Sequence, residues 1–352
     1  MPIQQFTAQN FRCLERVELE IHPSFNLIFG ENASGKTSIL EALGYLGRGK
    51  SFRGASTAEL TKHGEKEFVL FGRVSDGEHT AKIGVRNSAD GLETRIDGED
   101  GGGAAGLATA LPLQIIDPDV HNLVSGSPDE RRRFLDWVAF HVEPDFLNSW
   151  RRFRRVLRQR NAALRNGGSL SGWDAEFIEL AEQIDAGRRM ALEVAQDALE
   201  EAAGDLLGAP VGFGYSAGWK EGKSLEGAMR DSAERDRQQG TTHCGPHRAD
   251  LRIDMDERRA RKLVSRGQQK LLACAMVLAA TETAQAALER PLLLLLDDPA
   301  AELDQSALGR LMTRVAVLGA QVIATSLEPD VALFPEPGRV FHVEQGDLKQ
   351  VL

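Results

Sequence analysis

Gly30-Glu31-Asn32-Ala33-Ser34-Gly35-Lys36-Thr37 is the stretch that decides the fold, because it satisfies the pattern G-x-x-x-x-G-K-[ST] in full. It directly follows the apolar run Phe25 to Phe29 and precedes a helical pattern that begins at Ser38. A strand, a glycine-rich loop and a helix in this order form a phosphate-binding loop, or P-loop. The loop directs successive backbone N–H groups at phosphate oxygens, and the helix dipole favours the negative charge.

The side chains of this loop have predicted roles in binding ATP and Mg²⁺. Lys36 is predicted to reach the β- and γ-phosphates and to act in catalysis, and Thr37 is predicted to ligate Mg²⁺ through its hydroxyl. The alternative is a chance glycine-lysine turn, which the flanking strand and helix disfavour. The residues predicted to contact the nucleotide are Gly30, Glu31, Asn32, Ala33, Ser34, Gly35, Lys36, Thr37 and Ser38.

A second part of the predicted site follows the apolar run Leu292 to Leu296, which ends in Asp297-Asp298. A continuous apolar run is typical of a central parallel strand that is covered on both faces, and ligands bind beyond the carboxyl ends of such strands. We predict that Asp297 holds Mg²⁺ and that the catalytic residue Asp298 orients or deprotonates the attacking water. The alternative is a buried strand that ends in a solvated acidic turn.

A third element is the helix start Ser265-Arg266-Gly267-Gln268-Gln269-Lys270. Ser265 is a good N-cap, and Gly267 permits a ligand to approach the first turn closely. A merely capped helix is the commoner reading, but this helix lies between a P-loop and the acidic strand in sequence. In this it resembles ABC-type ATPases, which present such a helix start to the γ-phosphate of nucleotide held by the other protomer. The resemblance implies that Ser265, Gly267 and Gln268 contact the γ-phosphate of a nucleotide held by a second copy of the chain.

The spacing of these motifs predicts an α/β fold of the ABC-type P-loop ATPase head class. Asp297 lies 261 residues after Lys36, which is far for a compact P-loop domain. We predict that lobe I, with a mixed sheet and helices, consists of residues 1–116 and 241–352. The inserted lobe II, residues 117–240, is predicted to be mainly helical, with an antiparallel helical hairpin around the turn Asn166-Gly167-Gly168.

Composition restricts the class of protein further. The chain has 352 residues, of which 42% are hydrophobic and 27% charged, as in ordinary soluble globular proteins. No apolar run is long enough to span a bilayer, and three widely spaced cysteines are more typical of a reducing compartment. We therefore expect a cytoplasmic protein without a membrane partner. The net charge of −10 argues mildly against DNA binding, so a DNA site requires a local basic patch.

Two basic clusters are candidates for such a patch. Arg48, Lys50 and Arg53 follow the P-loop helix, and Arg151, Arg155 and Arg158 share one stripe of a predicted helix. Arginines and lysines bind DNA phosphates without reading sequence. The alternative is a solvated, salt-bridged helix face. We favour that alternative slightly for the helix, and give equal weight to both readings for the first cluster.

Several motifs resemble the RecF family, in the same order along nearly the whole chain. They are Asn10-Phe11-Arg12, the P-loop with Asn32 at its third position, Gly49-Lys50-Ser51-Phe52-Arg53, Ser127-Pro128-Asp129-Glu130-Arg131-Arg132-Arg133-Phe134-Leu135-Asp136, Gly245-Pro246-His247-Arg248 and Ser265 to Lys270. The sequence departs from the pattern at Ala301, where a serine is usual, and at Ala249-Asp250, where two acids are typical. Thr325-Ser326 lacks the histidine of transporter-type ABC domains, as RecF-like proteins do.

The resemblance implies a head similar to those of SMC and Rad50 proteins, without their long arms. It also implies slow, DNA-stimulated ATP hydrolysis, coupled to an ATP-dependent homodimer on single-strand gaps or single-stranded/double-stranded junctions. RecR and RecO are the implied partners, with RecA loading as the outcome. Gln114 resembles a Q-loop residue that contacts Mg²⁺, although an ordinary strand glutamine is an equally good interpretation. The alternatives are a DNA clamp with a structural nucleotide and, less consistent with these motifs, a transporter subunit.

Overall fold

The computed structural model describes residues 2–75, 79–256, 258–329 and 338–352, and within these it divides into two compact units. The first unit comprises Met1–Val120 and Glu289–Leu352, and the second comprises His121–Leu288. The pair Asp76-Gly77, which favours a hairpin turn by its sequence, lies outside the described residues. An α/β head with an inserted helical part is confirmed.

The P-loop belongs to a mixed sheet in the first unit. Its strands, in spatial order, are β15 (Asp347–Gln350), β14 (Arg339–Glu344), β3 (Phe25–Phe29), β13 (Gln321–Ser326), β12 (Leu293–Leu296) and β8 (Leu113–Ile116). All neighbours are parallel except β14 and β15. Their carboxyl ends therefore meet at one edge, where the P-loop after β3 and the acids after β12 both lie.

A second sheet of the first unit is antiparallel. It contains β2 (Leu14–Glu20), β1 (Ile3–Phe11), β4 (Glu67–Ser75), β5 (Thr80–Ser88), β6 (Gly91–Ile96) and β7 (Glu99–Asp100), in that order. The strands alternate buried and exposed side chains, as expected for a sheet with one covered face. Helix α1 (Lys36–Arg48) buries Ile39, Leu40, Leu43 and Leu46 in the same core. Two short helices, α2 (Thr57–Leu60) and α3 (Gly103–Ala110), complete this part.

The second unit is mainly helical. Its helices are α4 (Asn122–Ser125), α5 (Pro128–Val142), α6 (Phe146–Arg165), α7 (Ser171–Leu207), α8 (Leu225–Gln239) and α9 (Arg266–Leu288). A small sheet orders β11 (Arg258–Arg259), β10 (Asp250–Met255) and β9 (Gly212–Ser216). The remaining helix, α10 (Gln305–Val317), belongs to the first unit. The predicted hairpin is present as α6 and α7, and the rings of Phe153 and Phe177 pack between them with centroids 5.3 Å apart.

The predicted lobe boundary at residue 241 does not match the division seen in the structure. The structure places 241–288 in the second unit, because α9 packs against α5 and α7 and β10 pairs with β9. The first boundary, predicted after residue 116, falls within four residues of the observed one at Val120. The inserted part is therefore longer than predicted and contains the whole of α9.

Helix α9 is also the one helix of the described residues that is long and apolar enough to cross a membrane. Most of its apolar window is buried inside the protein, and it is apolar on every side. A helix with this pattern is typical of a protein core. We therefore assign α9 to the core of the second unit.

Candidate nucleotide site

The P-loop has the backbone geometry of a phosphate cradle. A Cβ atom added to Gly30 would lie 2.3 Å from the carbonyl oxygen of Val343, so no larger residue fits there. Gly35 has a φ of 116°, a left-handed conformation that favours glycine. The hydroxyl of Ser34 is buried and has no hydrogen-bond partner among the described residues. An orphan buried hydroxyl in a glycine loop at the N-terminus of a helix fits a phosphate oxygen.

Lys36 lies within this cradle. Its ammonium group donates hydrogen bonds to the carbonyl oxygens of Gly30 at 2.6 Å and Glu31 at 2.7 Å. Burial lowers the pKa of Lys36, whereas the carboxylates of Asp298 and Asp297 raise it. The positive charge of Lys36 is therefore held between the loop and the two acids.

Asp297, which directly follows β12, connects α1 and β13 at the edge of the sheet. Its carboxylate accepts hydrogen bonds from the hydroxyls of Thr37 at 3.0 Å and Thr325 at 2.9 Å. Burial raises the pKa of Asp297, whereas these hydrogen bonds and the positive charge of Arg53 lower it. Hydroxyl and carboxylate oxygens are the ligands that Mg²⁺ prefers, and Mg²⁺ usually takes only one or two protein ligands. Thr37 and Asp297 fit such a partial set, and the described residues contain no cluster of three or more ligating side chains.

Asp298 has a left-handed backbone, with a φ of 47°. Its N–H donates a hydrogen bond to the hydroxyl of Thr325 at 2.9 Å. Thr325 therefore contacts both acids of the pair, a role that the sequence analysis missed. The available signal was its position: it lies one residue before the end of β13, the strand between those that carry the P-loop and the acids.

Gln114 does not occupy the edge where it was predicted to contact Mg²⁺. It pairs with Leu294 in the middle of the parallel ladder, and its side-chain oxygen accepts a hydrogen bond from Arg48 at 3.2 Å. The residue of this segment that reaches the edge is Asp117, which directly follows β8. Burial and the neighbouring carboxylates of Asp119 and Asp297 raise the pKa of Asp117 to about 6.

The predicted basic cluster after α1 is not a single patch. Arg48 points inward, where it also donates to the carbonyl oxygen of Leu113 at 3.3 Å, and burial lowers its pKa to about 10. Arg48 therefore links α1 to β8 and is half-buried, and its contact with DNA stays a prediction. Lys50 and Arg53 are exposed, and the charge of Arg53 acts on Asp297.

Two motifs that resemble the RecF family meet at one buried side chain. Glu41 on α1 is fully buried and forms an ion pair with Arg12, whose Nη2 lies 2.9 Å from Glu41 Oε1. The hydroxyl of Ser51 also donates to Glu41 Oε1. The carboxylate thus joins the first hairpin and the loop after α1 to the helix that begins at the P-loop.

The start of α9 is capped as predicted. The N–H of Gln268 donates to the hydroxyl of Ser265 at 3.3 Å, and the N–H of Ser265 donates to the side chain of Gln268 at 2.9 Å. This reciprocal pair is a capping box. It fixes the first turn of α9, where Gly267 leaves the backbone accessible. Contact of this turn with nucleotide stays a prediction.

The Gly245 to Arg248 motif holds the helices of the second unit together. The Nε2 of His247 donates to the carbonyl oxygen of Thr242 at 2.9 Å, and the ring lies beside Phe153 and Phe177. Its Nδ1 atom is buried without a partner in the described part of the chain. Burial lowers the pKa of His247 to about 4. The carbonyl oxygen of Pro246 accepts a hydrogen bond from Arg188 at 2.6 Å.

Ala249 and Asp250, where the sequence departs from the RecF pattern, contact residues of another motif. Asp250 pairs with the buried Arg131 at 2.7 Å, and Arg132 donates to the carbonyl oxygen of Ala249 at 2.8 Å. Arg131 and Arg132 of the Ser127 to Asp136 motif are thus held within the second unit by Ala249 and Asp250, which directly follow the Gly245 to Arg248 motif.

The arginines of α6 fall into two groups. Arg152 pairs with Glu176 at 3.1 Å, and Arg160 is buried against Asp174 at 2.9 Å and Asp236 at 3.1 Å. For these two residues, the structure favours the alternative to DNA binding, which is a salt-bridged helix face. The other five are exposed and form no ion pair within the described residues: Arg151, Arg154, Arg155, Arg158 and Arg165.

The chain is similar to known proteins over nearly its whole length. The model of the RecF/RecN/SMC N terminal domain matches residues 2–347. Proteins named DNA replication and repair protein RecF are 39% identical in Edwardsiella ictaluri and 38% identical in Escherichia coli O1:K1 / APEC, and each comparison covers 99% of both chains.

Solved structures show the same fold. A structure of the recombination mediator protein RecF with ATP is 24% identical, with a TM-score of 0.88 over 100% of this chain and 98% of that one. An SMC head bound to the C-winged helix domain of ScpA is 16% identical, with a TM-score of 0.63 over 100% of this chain and 97% of that one.

Proposed function

The chain belongs to the RecF/RecN/SMC N-terminal domain family and, within it, to the RecF proteins, and from this premise we propose that it is an ATP-binding protein of DNA replication and repair. The observation that carries the ATP assignment is the cradle formed by the P-loop, with the orphan hydroxyl of Ser34 and the ammonium group of Lys36 inside it. We further propose a cytoplasmic location, which is supported by the role of the RecF proteins in DNA replication and repair.

Each proposed nucleotide contact has a physical basis. N–H groups of the P-loop and of the first turn of α1 would donate to phosphate oxygens, with those of Gly30 and Ser34 leaving the carbonyl oxygens of Ser326 and Glu31. The Lys36 ammonium would exchange its two loop carbonyls for the β- and γ-phosphates. Thr37 and Asp297 hold Mg²⁺, which neutralises phosphate charge when it is bound. Asp298, next to this pair, orients the attacking water and accepts its proton.

We propose that hydrolysis is slow and is coupled to assembly. In this proposal the capped start of α9, with Ser265, Gly267 and Gln268, binds the γ-phosphate of nucleotide held by a second copy. ATP then joins two heads on DNA, at gaps or at single-stranded/double-stranded junctions, and hydrolysis separates them. RecO and RecR are the proposed protein partners, and DNA is proposed to stimulate turnover.

Sedimentation velocity with and without ATP and Mg²⁺ tests this assembly. The wild-type protein should sediment as a dimer only with ATP, and gapped duplex DNA should strengthen the dimer. Lys36→Arg keeps the charge but changes the contact geometry, so it should stay monomeric. A wild-type protein that binds ATP and remains monomeric with DNA would refute the composite site and favour a structural nucleotide.

Turnover of Asp298→Asn tests the catalytic assignment separately. The amide is nearly the same size as the carboxylate but does not accept a proton, so hydrolysis should fall by about 100-fold or more while ATP binding persists. Asp90, an exposed residue in the turn between β5 and β6, provides a matched control as Asp90→Asn. Unchanged turnover in Asp298→Asn would remove Asp298 from the mechanism.

A further inference from the structure

The outward face of α6 carries a concentration of positive charge that the nucleotide site does not use. Helix α6 contains seven arginines and no aspartate or glutamate, in a chain whose net charge is −10. Arg152 and Arg160 are bound by carboxylates. The other five, Arg151, Arg154, Arg155, Arg158 and Arg165, are named here the α6 arginine stripe.

Helical geometry places the α6 arginine stripe on one side. At 100° per residue these five positions lie within an arc of roughly 100°, opposite the buried positions Phe153, Val156 and Arg160. They extend over about 21 Å of the helix axis, at a rise of 1.5 Å per residue. All five side chains are exposed, and none forms an ion pair within the described residues. Arg154 lies over the ring of Trp150, 4.8 Å from its centroid.

We propose that the α6 arginine stripe binds the phosphate backbone of duplex DNA, an inference that rests on the proposed function. Unpaired guanidinium groups spaced along a rigid rod complement a regular row of phosphates. The face offers no aromatic ring for base stacking, because Phe146 and Phe153 are buried and Trp150 is covered by Arg154. Single-stranded DNA sites usually rely on such rings, so duplex DNA is the better fit.

The neighbouring helix limits this surface to one side. The charged residues exposed on α7 are mainly acidic, and Glu176 on α7 already binds Arg152. Negative charge on α7 repels phosphate, whereas the α6 arginine stripe attracts it. DNA is therefore directed to the outward face of α6 and away from the α7 side of the hairpin.

Salt dependence of duplex binding tests the α6 arginine stripe. Affinity for a short labelled duplex is measured by fluorescence anisotropy with ATP and Mg²⁺ across a salt series, for the full chain and for R151Q/R155Q/R158Q. Each phosphate contact contributes about 0.9 to the slope of log affinity against log salt, so the triple variant should lose about 2.7 from the slope. Between about 50 and 200 mM salt, the wild type should lose roughly 40-fold more affinity than this variant.

Two matched variants separate the surface from net charge and from folding. R16Q/R86Q/R95Q removes the same charge at exposed arginines already paired with Glu18, Glu67 and Glu93, so its slope should be that of the wild type. R151K/R155K/R158K retains the charge and should restore most of the slope. An unchanged slope in R151Q/R155Q/R158Q, or an equal loss in R16Q/R86Q/R95Q, would overturn the inference.

Two further outcomes identify which proposal has failed. If wild-type protein with ATP binds no DNA, the proposed DNA function fails, and this inference fails with it. If the wild type binds duplex and R151Q/R155Q/R158Q weakens only a single-stranded oligonucleotide, the proposed function stands and the assignment to duplex is wrong.

Discussion

His247→Gln should remove a specific part of the pH dependence of stability. Burial lowers the pKa of His247 from 6.5 to about 4, so the folded state resists protonation of the ring. A histidine with a depressed folded pKa contributes full stability above pH 6.5 and loses it as pH falls from there toward 4. At pH 5 the unfolded chain is mostly protonated at this site and the folded chain mostly neutral, which lowers the free energy of unfolding by about 2 kcal/mol relative to pH 8.

The substituted glutamine keeps an N–H donor for the carbonyl oxygen of Thr242 but does not titrate. The difference in unfolding free energy between pH 8 and pH 5 should therefore be about 2 kcal/mol smaller in His247→Gln than in the wild type. Urea unfolding followed by tryptophan fluorescence measures this, because all four tryptophans, Trp137, Trp150, Trp173 and Trp219, lie in the second unit with His247.

His63 provides the control for His247. His63 is exposed and lies in the first unit, so His63→Gln should retain the wild-type pH dependence of tryptophan-detected unfolding. If His247→Gln shows the same pH dependence as the wild type, to within about 0.5 kcal/mol, the ring is protonated in the folded state and the argument from burial is wrong.

Three further predictions concern the first unit. Glu41→Gln should lower the melting temperature of the first unit by roughly 5–10 °C in calorimetry, because it leaves the Arg12 guanidinium without a carboxylate. A decrease of less than about 2 °C would contradict a structural role for this ion pair. Thr325→Val should raise the Mg²⁺ concentration needed for half-maximal ATP hydrolysis by about tenfold, because Asp297 loses a hydrogen bond. Thr325→Ser retains the hydroxyl and should keep the wild-type value. Equal values in the two variants would exclude a role for Thr325 in positioning Asp297. Gly35→Ala should weaken binding of a fluorescent ATP analogue by at least about tenfold, since φ at this position is left-handed, and wild-type affinity would show that the loop tolerates the change.

Local sequence was sufficient to predict the elements that carry the nucleotide site. The apolar strand, glycine loop and helix around Lys36 have strong local signals, and β3 and α1 form as predicted. The apolar run before Asp297 likewise predicts β12 as a central strand. Which side chains meet at the sheet edge depends on strand order, which single segments do not encode. Thr325 and Asp117 were missed for this reason.

The inward contacts of Arg48 and the division of the chain after residue 288 also have physical explanations. Arg48 shares a basic stretch with Lys50 and Arg53, and composition alone places such a stretch on the surface. The arginine turns inward because β8 presents the Leu113 carbonyl and the Gln114 side chain as acceptors. Helix α9 is apolar on every side, so its sequence does not indicate which neighbours cover it.

The seven arginines of α6 give the molecule an uneven charge distribution. Because they count toward the total of −10, the rest of the chain is seven units more negative than the whole. Chromatography should therefore disagree with isoelectric focusing: a protein with a pI of about 5.4 should still be retained on a cation exchanger at neutral pH, held by one helix. An approaching polyanion should therefore be attracted to the outward face of α6, where exposed positive charge is concentrated.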